Sequence, residues 1–138
     1  MSYPTVTDAV TIGRQGELIA EAALIKYSPC RVTQIGFDLI IFQENTPFRV
    51  EVKSASKSAD GAGHRYSFMT SSGSKSKKIV SSDQTDLVCL VALDIRKCVI
   101  MPASDIVKLK TTIRAEQFDI DESLQIVEAL EKVRNAKC

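Results

Sequence analysis

Asp38, Glu51 and Lys53 are the residues of this 138-residue chain whose types and spacing point to chemistry. They stand in two apolar runs, Gly36-Phe37-Asp38-Leu39-Ile40-Ile41-Phe42 and Phe48-Arg49-Val50-Glu51-Val52-Lys53, joined by Gln43-Glu44-Asn45-Thr46-Pro47. β-Branched and aromatic runs flanking turn formers predict a hairpin. With its symmetry point between Glu44 and Asn45, paired residues have numbers that sum to about 89, which sets Asp38 opposite Glu51. Opposed Cβ atoms lie roughly 5 Å apart, so two carboxylates there can share one cation. Side chains alternate along a strand, so Glu51 and Lys53 share a side. An unpaired charge in a buried apolar strand is costly. Two acids and an ammonium gathered in such runs therefore read as a site, against the alternative of a surface ion pair worth less than ~1 kcal/mol.

A helix over 11–27 precedes the hairpin. Ile12, Ile19, Ala20, Ala23 and Tyr27 recur at three- and four-residue steps, Pro29 ends the pattern, and Asp8 or Thr11 suits the cap. Gly13 and Gly16 weaken a helix and permit close approach of another backbone. Glu17 and Glu21 lie four apart on one face beside the apolar stripe. Either can point back to the hairpin, and a solvated pair would look the same.

Beyond the hairpin, the polar run 54–63 reads as a flexible connection and 64–70 as a strand alternating Arg65, Ser67 and Met69 with Tyr66, Phe68 and Thr70. The run 71–78 is small, polar and basic. Six cations, Lys53, Lys57, Arg65, Lys75, Lys77 and Lys78, face Asp60 alone within 53–80, so this segment carries +5 in a chain of net charge +1. That asymmetry suits contact with a polyanion, although a solvated loop has the same composition. A strand over 30–34 leads into the hairpin. Residues 87–93 read as a strand buried on both faces, with Asp86 capping a turn at its entry or adding a polar group near the site. Further expectations are a strand over 98–101, a short helix over 103–109, and a helix over 121–137 with Asp121 as cap and Leu124, Val127, Leu130 and Val133 as its stripe.

The length fits one domain with a real core. No apolar run approaches the ~20 residues of a membrane span, and the N-terminus lacks a signal-peptide pattern, so the expected location is cytoplasmic. Cys30, Cys89, Cys98 and Cys138 are isolated and His64 is the one histidine, which discounts zinc and suggests free thiols, three of them at or near the core.

A helix with Glu17, then Gly36-Phe37-Asp38, then Arg49-Val50-Glu51-Val52-Lys53, a basic loop and two closing strands make the chain resemble the PD-(D/E)xK nuclease superfamily. It is most similar to the group I intron-encoded homing endonucleases of this fold, and next to the archaeal Holliday-junction resolvases. The resemblance covers roughly 12–106. Phe37 stands where the motif's name has proline, and the helix usual after the Glu-x-Lys strand is not evident in the polar stretch 54–82. The resemblance implies an α/β, restriction-endonuclease-like fold, a central mixed β-sheet flanked by helices. It makes 1–138 a single nuclease domain with its core at about 11–106, and the helix 121–137 packing on that core or on a partner subunit.

It also implies Mg2+-dependent cleavage of DNA, with Mn2+ as a substitute, by a homodimer or higher homo-oligomer that does not involve a membrane. Asp38, Glu51 and the Val52 backbone carbonyl would hold the metal, with Glu17, or Glu21 in its stead, holding it through water or accepting a proton. Lys53 would orient water or stabilise developing charge. Arg65, Lys75, Lys77 and Lys78 would grip phosphates. Two alternatives use the same residues differently: a junction resolvase, and a non-catalytic DNA-binding module on the same fold.

Overall fold

The hairpin forms in the expected register, in a computed structural model that describes residues 8–26, 31–35, 38–43, 45–72, 78–79 and 84–137, with 31–35, 38, 71–72, 78–79 and 137 described as backbone alone. Strand β2 (Asp38–Gln43) follows β1 (Arg31–Ile35) and pairs antiparallel with β3 (Thr46–Ala55) as Leu39↔Val50, Ile40↔Arg49 and Ile41↔Phe48, each pair summing to 89. Cys30, at the expected start of the first strand, lies outside the described residues.

β3 runs two residues past Lys53, into what the sequence suggested was already a polar connection. The reason is a parallel ladder to β7 (Leu87–Ala92), from Val50↔Leu87 to Ala55↔Ala92, whose backbone bonds carry the strand through Ser54 and Ala55. β8 (Lys97–Pro102) closes the sheet, in the order β1-β2-β3-β7-β8, and every pairing except β3–β7 is antiparallel. All six residues of β7 are buried, as its apolar run foretold.

Helices α1 (Ala9–Leu24) and α2 (Glu122–Lys137) cover one face of the sheet, where Ala20, Leu24, Ile126 and Leu130 pack on Ile41, Val50 and Cys89. Asp8 caps α1, accepting from the Thr11 backbone N–H at 2.8 Å. The helix ends three residues short of 27, and Tyr27 and Pro29 lie outside the described residues. Asp121 precedes α2 and accepts from the Ser123 N–H at 2.8 Å. The α2 stripe differs from 124/127/130/133: Leu124 is exposed while Ile126, Ala129, Leu130 and Val133 are buried. Gln125 causes the shift. It too is buried, because its amide bonds the β8 edge and turns the 125/126/129 side of the helix to the sheet.

That edge is sealed. Glu122 accepts from the Cys98 N–H at 3.1 Å, Gln125 from the Ile100 N–H at 2.7 Å, and Pro102, next in the outward alternation, has none to offer.

The opposite face is covered by a two-stranded antiparallel ribbon, β4 (Arg65–Met69) with β9 (Lys110–Arg114), and by two 3-10 turns, Ala103–Asp105 and Ala115–Asp119. Tyr66 meets Phe118 edge-on, 5.2 Å between ring centres, and donates its hydroxyl to Asp94 at 2.8 Å. Burial, reinforced by that bond, raises the phenol pKa. The helix expected over 103–109 is absent. Ile106 turns extended after one 3-10 turn, because the chain must reach β4 and pair with it. β5 (Ser71–Ser72) and β6 (Lys78–Ile79) form a small separate pair. No helix among the described residues is long and apolar enough to cross a membrane. Cys89 and Cys98 are free, buried thiols, and Cys30 and Cys138 lie outside the described residues.

Gly16 is where α1 meets β3. A Cβ there would sit 1.8 Å from the Ser54 Oγ and 3.0 Å from its Cβ, whereas one at Gly13 would meet nothing within 4 Å. Alanine gains up to ~1 kcal/mol of helix propensity over glycine, and overpacking costs ~1–3 kcal/mol. Gly16→Ala therefore loses stability, on the order of 1 kcal/mol, while Gly13→Ala gains ~0.5–1 kcal/mol. Urea unfolding of both variants checks this, and a stabilising Gly16→Ala would show that helix and strand are not in close contact there.

Candidate active site

The site grows from β3. Val50 and Val52 face the helical side and pack with its core, so Arg49, Glu51 and Lys53 alternate onto the other side. Glu51 and Lys53, two apart, form an ion pair with Nζ 2.8 Å from Oε1, their side chains 31% and 24% exposed. The pair is partly open to solvent, so its charges keep much of their hydration. Backbone pairing of β2 with β3 runs as far as Leu39↔Val50, and the same register carried one step further sets the Asp38 backbone opposite Glu51. The Asp38 side chain lies outside the described residues.

α1 contributes from the side. The close approach at Gly16 brings the next residue, Glu17, to the wall of a cavity of about 510 Å³ lined also by Gly13, Arg49, Glu51, Val52, Gln84 and Thr85. Of the two glutamates that the sequence left open, Glu17 lines this cavity. Glu21, half-buried one turn on, is not among the lining residues. Among the described residues, no three acidic, histidine or cysteine side chains gather closely enough to hold a metal ion.

Arg49, Gln84 and Thr85 are cavity residues that sequence reasoning passed over. Arg49 was legible in principle, since it stands two before Glu51 in an alternating strand. Gln84 and Thr85 were not, because only the parallel β3–β7 pairing brings the entry to β7 beside Glu51. Asp86 serves the backbone: it accepts from the Arg49 N–H at 2.9 Å, while its own N–H donates to the Arg49 carbonyl at 3.0 Å. These two bonds join the entry to β7 to β3 beside Arg49, which lines the cavity.

Of the expected phosphate contacts, only the Arg65 side chain is among the described residues. Arg65 is exposed at the start of β4, Lys78 is described as backbone in β6, and Lys75 and Lys77 lie outside the described residues. Glu17 and Glu51 thus line one cavity, Lys53 is paired with Glu51, and Arg65, on the ribbon, is not among the lining residues.

No protein-family model matches the sequence, and no curated protein matches it either. Among solved structures, the chain is similar to the bacterial homing endonuclease I-Ssp6803I, with a TM-score of 0.67 at 14% identity, covering 96% of this chain and 99% of that one. Identity at this level speaks to architecture. The mixed α/β fold, a central mixed sheet flanked by helices, is one that a homing endonuclease also adopts.

Proposed function

We propose that the protein is a Mg2+-dependent DNA endonuclease of the PD-(D/E)xK type, cleaving phosphodiester bonds as homing endonucleases do. The observation that carries this reading is the convergence of Glu17 from α1 and Glu51 from β3 on one cavity, with Lys53 held 2.8 Å from Glu51. The likeness to a homing endonuclease over nearly the whole of both chains supports the same reading.

By residue type, the expected donors suit the ion. Carboxylates at Glu17 and Glu51, the Val52 carbonyl and a carboxylate at Asp38 are hard oxygens of the kind that Mg2+ takes, and Mn2+ accepts the same donors. When bound, the ion would polarise the phosphate and lower the pKa of its water. The chain's own residues do the rest. Lys53 stands beside Glu51, so its ammonium can leave that carboxylate for the negative charge that grows on the phosphoryl oxygens during attack. Glu17, on a helix instead of the catalytic strand, approaches from another direction and can accept a proton from water or hold it. Arg49, on the same side of β3 two residues earlier, adds a cation at the cavity wall for the scissile phosphate. A duplex break needs two cuts, so the working form is a homodimer or higher homo-oligomer with paired sites.

Lys53→Ala should lower cleavage of supercoiled plasmid by ~10²-fold or more with duplex binding retained, and EDTA should abolish cutting by the parent. The same gels should carry a synthetic four-way junction. Preference for one duplex sequence supports the homing-type reading, whereas sequence-independent cutting of the junction would replace it with a resolvase. Metal-independent cutting would refute the Mg2+-dependent mechanism, and no cutting of any DNA would refute the nuclease.

The helix carboxylate is tested by conservative amides. Glu17→Gln should lose ~10²-fold in rate with its melting temperature unchanged, and Glu21→Gln should stay close to the parent. Reversal of that order would move the role to Glu21.

A further inference from the structure

We propose that the outward face of the β4–β9 ribbon is the surface that reads duplex DNA, entering its major groove; this rests on the DNA-nuclease reading above. The register is Arg65↔Arg114, Ser67↔Thr112 and Met69↔Lys110, with Tyr66, Phe68 and Ile113 at the intervening positions buried in the core. The six named residues therefore share the solvent side. They comprise three cations, two hydroxyls in contact at 3.2 Å and a methionine that is 51% exposed, with no carboxylate among them. Glu116 lies 3.9 Å from Arg114, but both side chains are largely exposed and the contact is screened.

Arg65 opposite Arg114 is the revealing pair. Like charges directly opposed on one sheet face destabilise it, and both of these side chains are exposed on the solvent side. A polyanion lying along this face would relieve the repulsion. The dimensions match a groove: two strands about 5 Å apart enter a major groove about 12 Å wide. Outward side chains recur roughly every 6.8 Å along each strand, close to two base-pair steps of ~3.4 Å. The side-chain types match base edges as well. Arg and Lys pair with guanine O6 and N7, hydroxyls serve either base of a pair, and an apolar side chain meets the thymine methyl.

The ribbon also stands on the correct side. Glu51 and Lys53 are register partners of Val88 and Leu90, and those two belong to the cluster built on Tyr66 and Phe68. Register partners share a face, so a duplex seated on the ribbon lies on the side of the sheet that carries the ion pair. Phosphate contacts position a protein on DNA and base contacts specify the sequence. The ribbon supplies the second kind.

The test is selection of bound duplexes from a randomised pool, with affinity measured against salt, in EDTA and again in Ca2+. Arg65→Glu and Lys110→Gln should each weaken binding about tenfold. Arg65→Glu should do so with an equal or higher melting temperature, since it turns a like-charged pair into a complementary one. Thr112→Val should change the selected bases and leave the salt dependence as it was. If the parent binds duplex and these folded variants bind and select as it does, the ribbon is not the reading surface and the nuclease reading stands. If the parent binds no duplex under either condition, both fail.

Discussion

The contact on which the site depends is the approach of α1 to β3 at Gly16. The underside of the helix there is made of small residues, Gly16, Ala20 and Ala23, all buried at three- and four-residue steps. With no side chain at 16 and only methyl groups at 20 and 23, the helix can lie close to the strand at this point, and Ser54 fills the space that a side chain at 16 would need. Because Glu17 directly follows the contact residue, the packing sets the place of its backbone beside the cavity. A larger residue at 16 would lift the helix and take Glu17 away from Glu51, which lies on a different element 34 positions along the chain. Packing and chemistry therefore share one constraint, and it costs α1 the helix propensity that glycine lacks.

β3 shows how a central strand carries charge. It is hydrogen-bonded on both edges, to β2 and to β7, and its inward residues Phe48 and Val50 are buried in the helical-side core. Its outward residues are a cation, an anion and a cation. They are tolerated because the ribbon covers β7 and β8 while the Glu51 and Lys53 side chains remain partly exposed, and because those two satisfy each other at 2.8 Å. An isolated charge at either position would be left with a desolvation cost and no partner.

Much of this was legible in the residues. The register of β2 on β3 followed from the turn formers between two apolar runs, and β7 from an uninterrupted apolar stretch. Asp121 marked the start of α2, whereas for α1 Asp8 was one of two possible caps and the helix begins at Ala9, two residues before the expected start. What failed to show was everything set by long-range contact. The extension of β3 through Ser54 and Ala55 comes from β7, more than thirty residues later. β9 hid in Lys110-Thr-Thr-Ile-Arg114 because its partner is β4, some forty-five positions earlier. The α2 stripe was misread because hydrophobicity alone cannot see that Gln125 belongs inside. Its amide closes a sheet edge, so a polar residue takes a core position. Glu17 could not be told from Glu21 for a related reason: both lie beside the apolar stripe, and only the Gly16 contact decides which of them reaches the cavity.

The two faces of the sheet divide the work. On one, two helices and an apolar layer give the fold its cohesion, and α2 saturates the outer edge of β8 with side-chain acceptors, so no further strand can add there. On the other, the aromatic pair Tyr66–Phe118 anchors a ribbon whose inner surface is core and whose outer surface is cationic. A ribbon needed only to cover β7 and β8 would be served by any polar outer residues, and opposed opposite charges would serve it best. Arginine facing arginine is a choice against stability. It persists in a ribbon firmly anchored from beneath, where the packing of Tyr66, Phe68 and Ile113 outweighs a repulsion that the solvent screens.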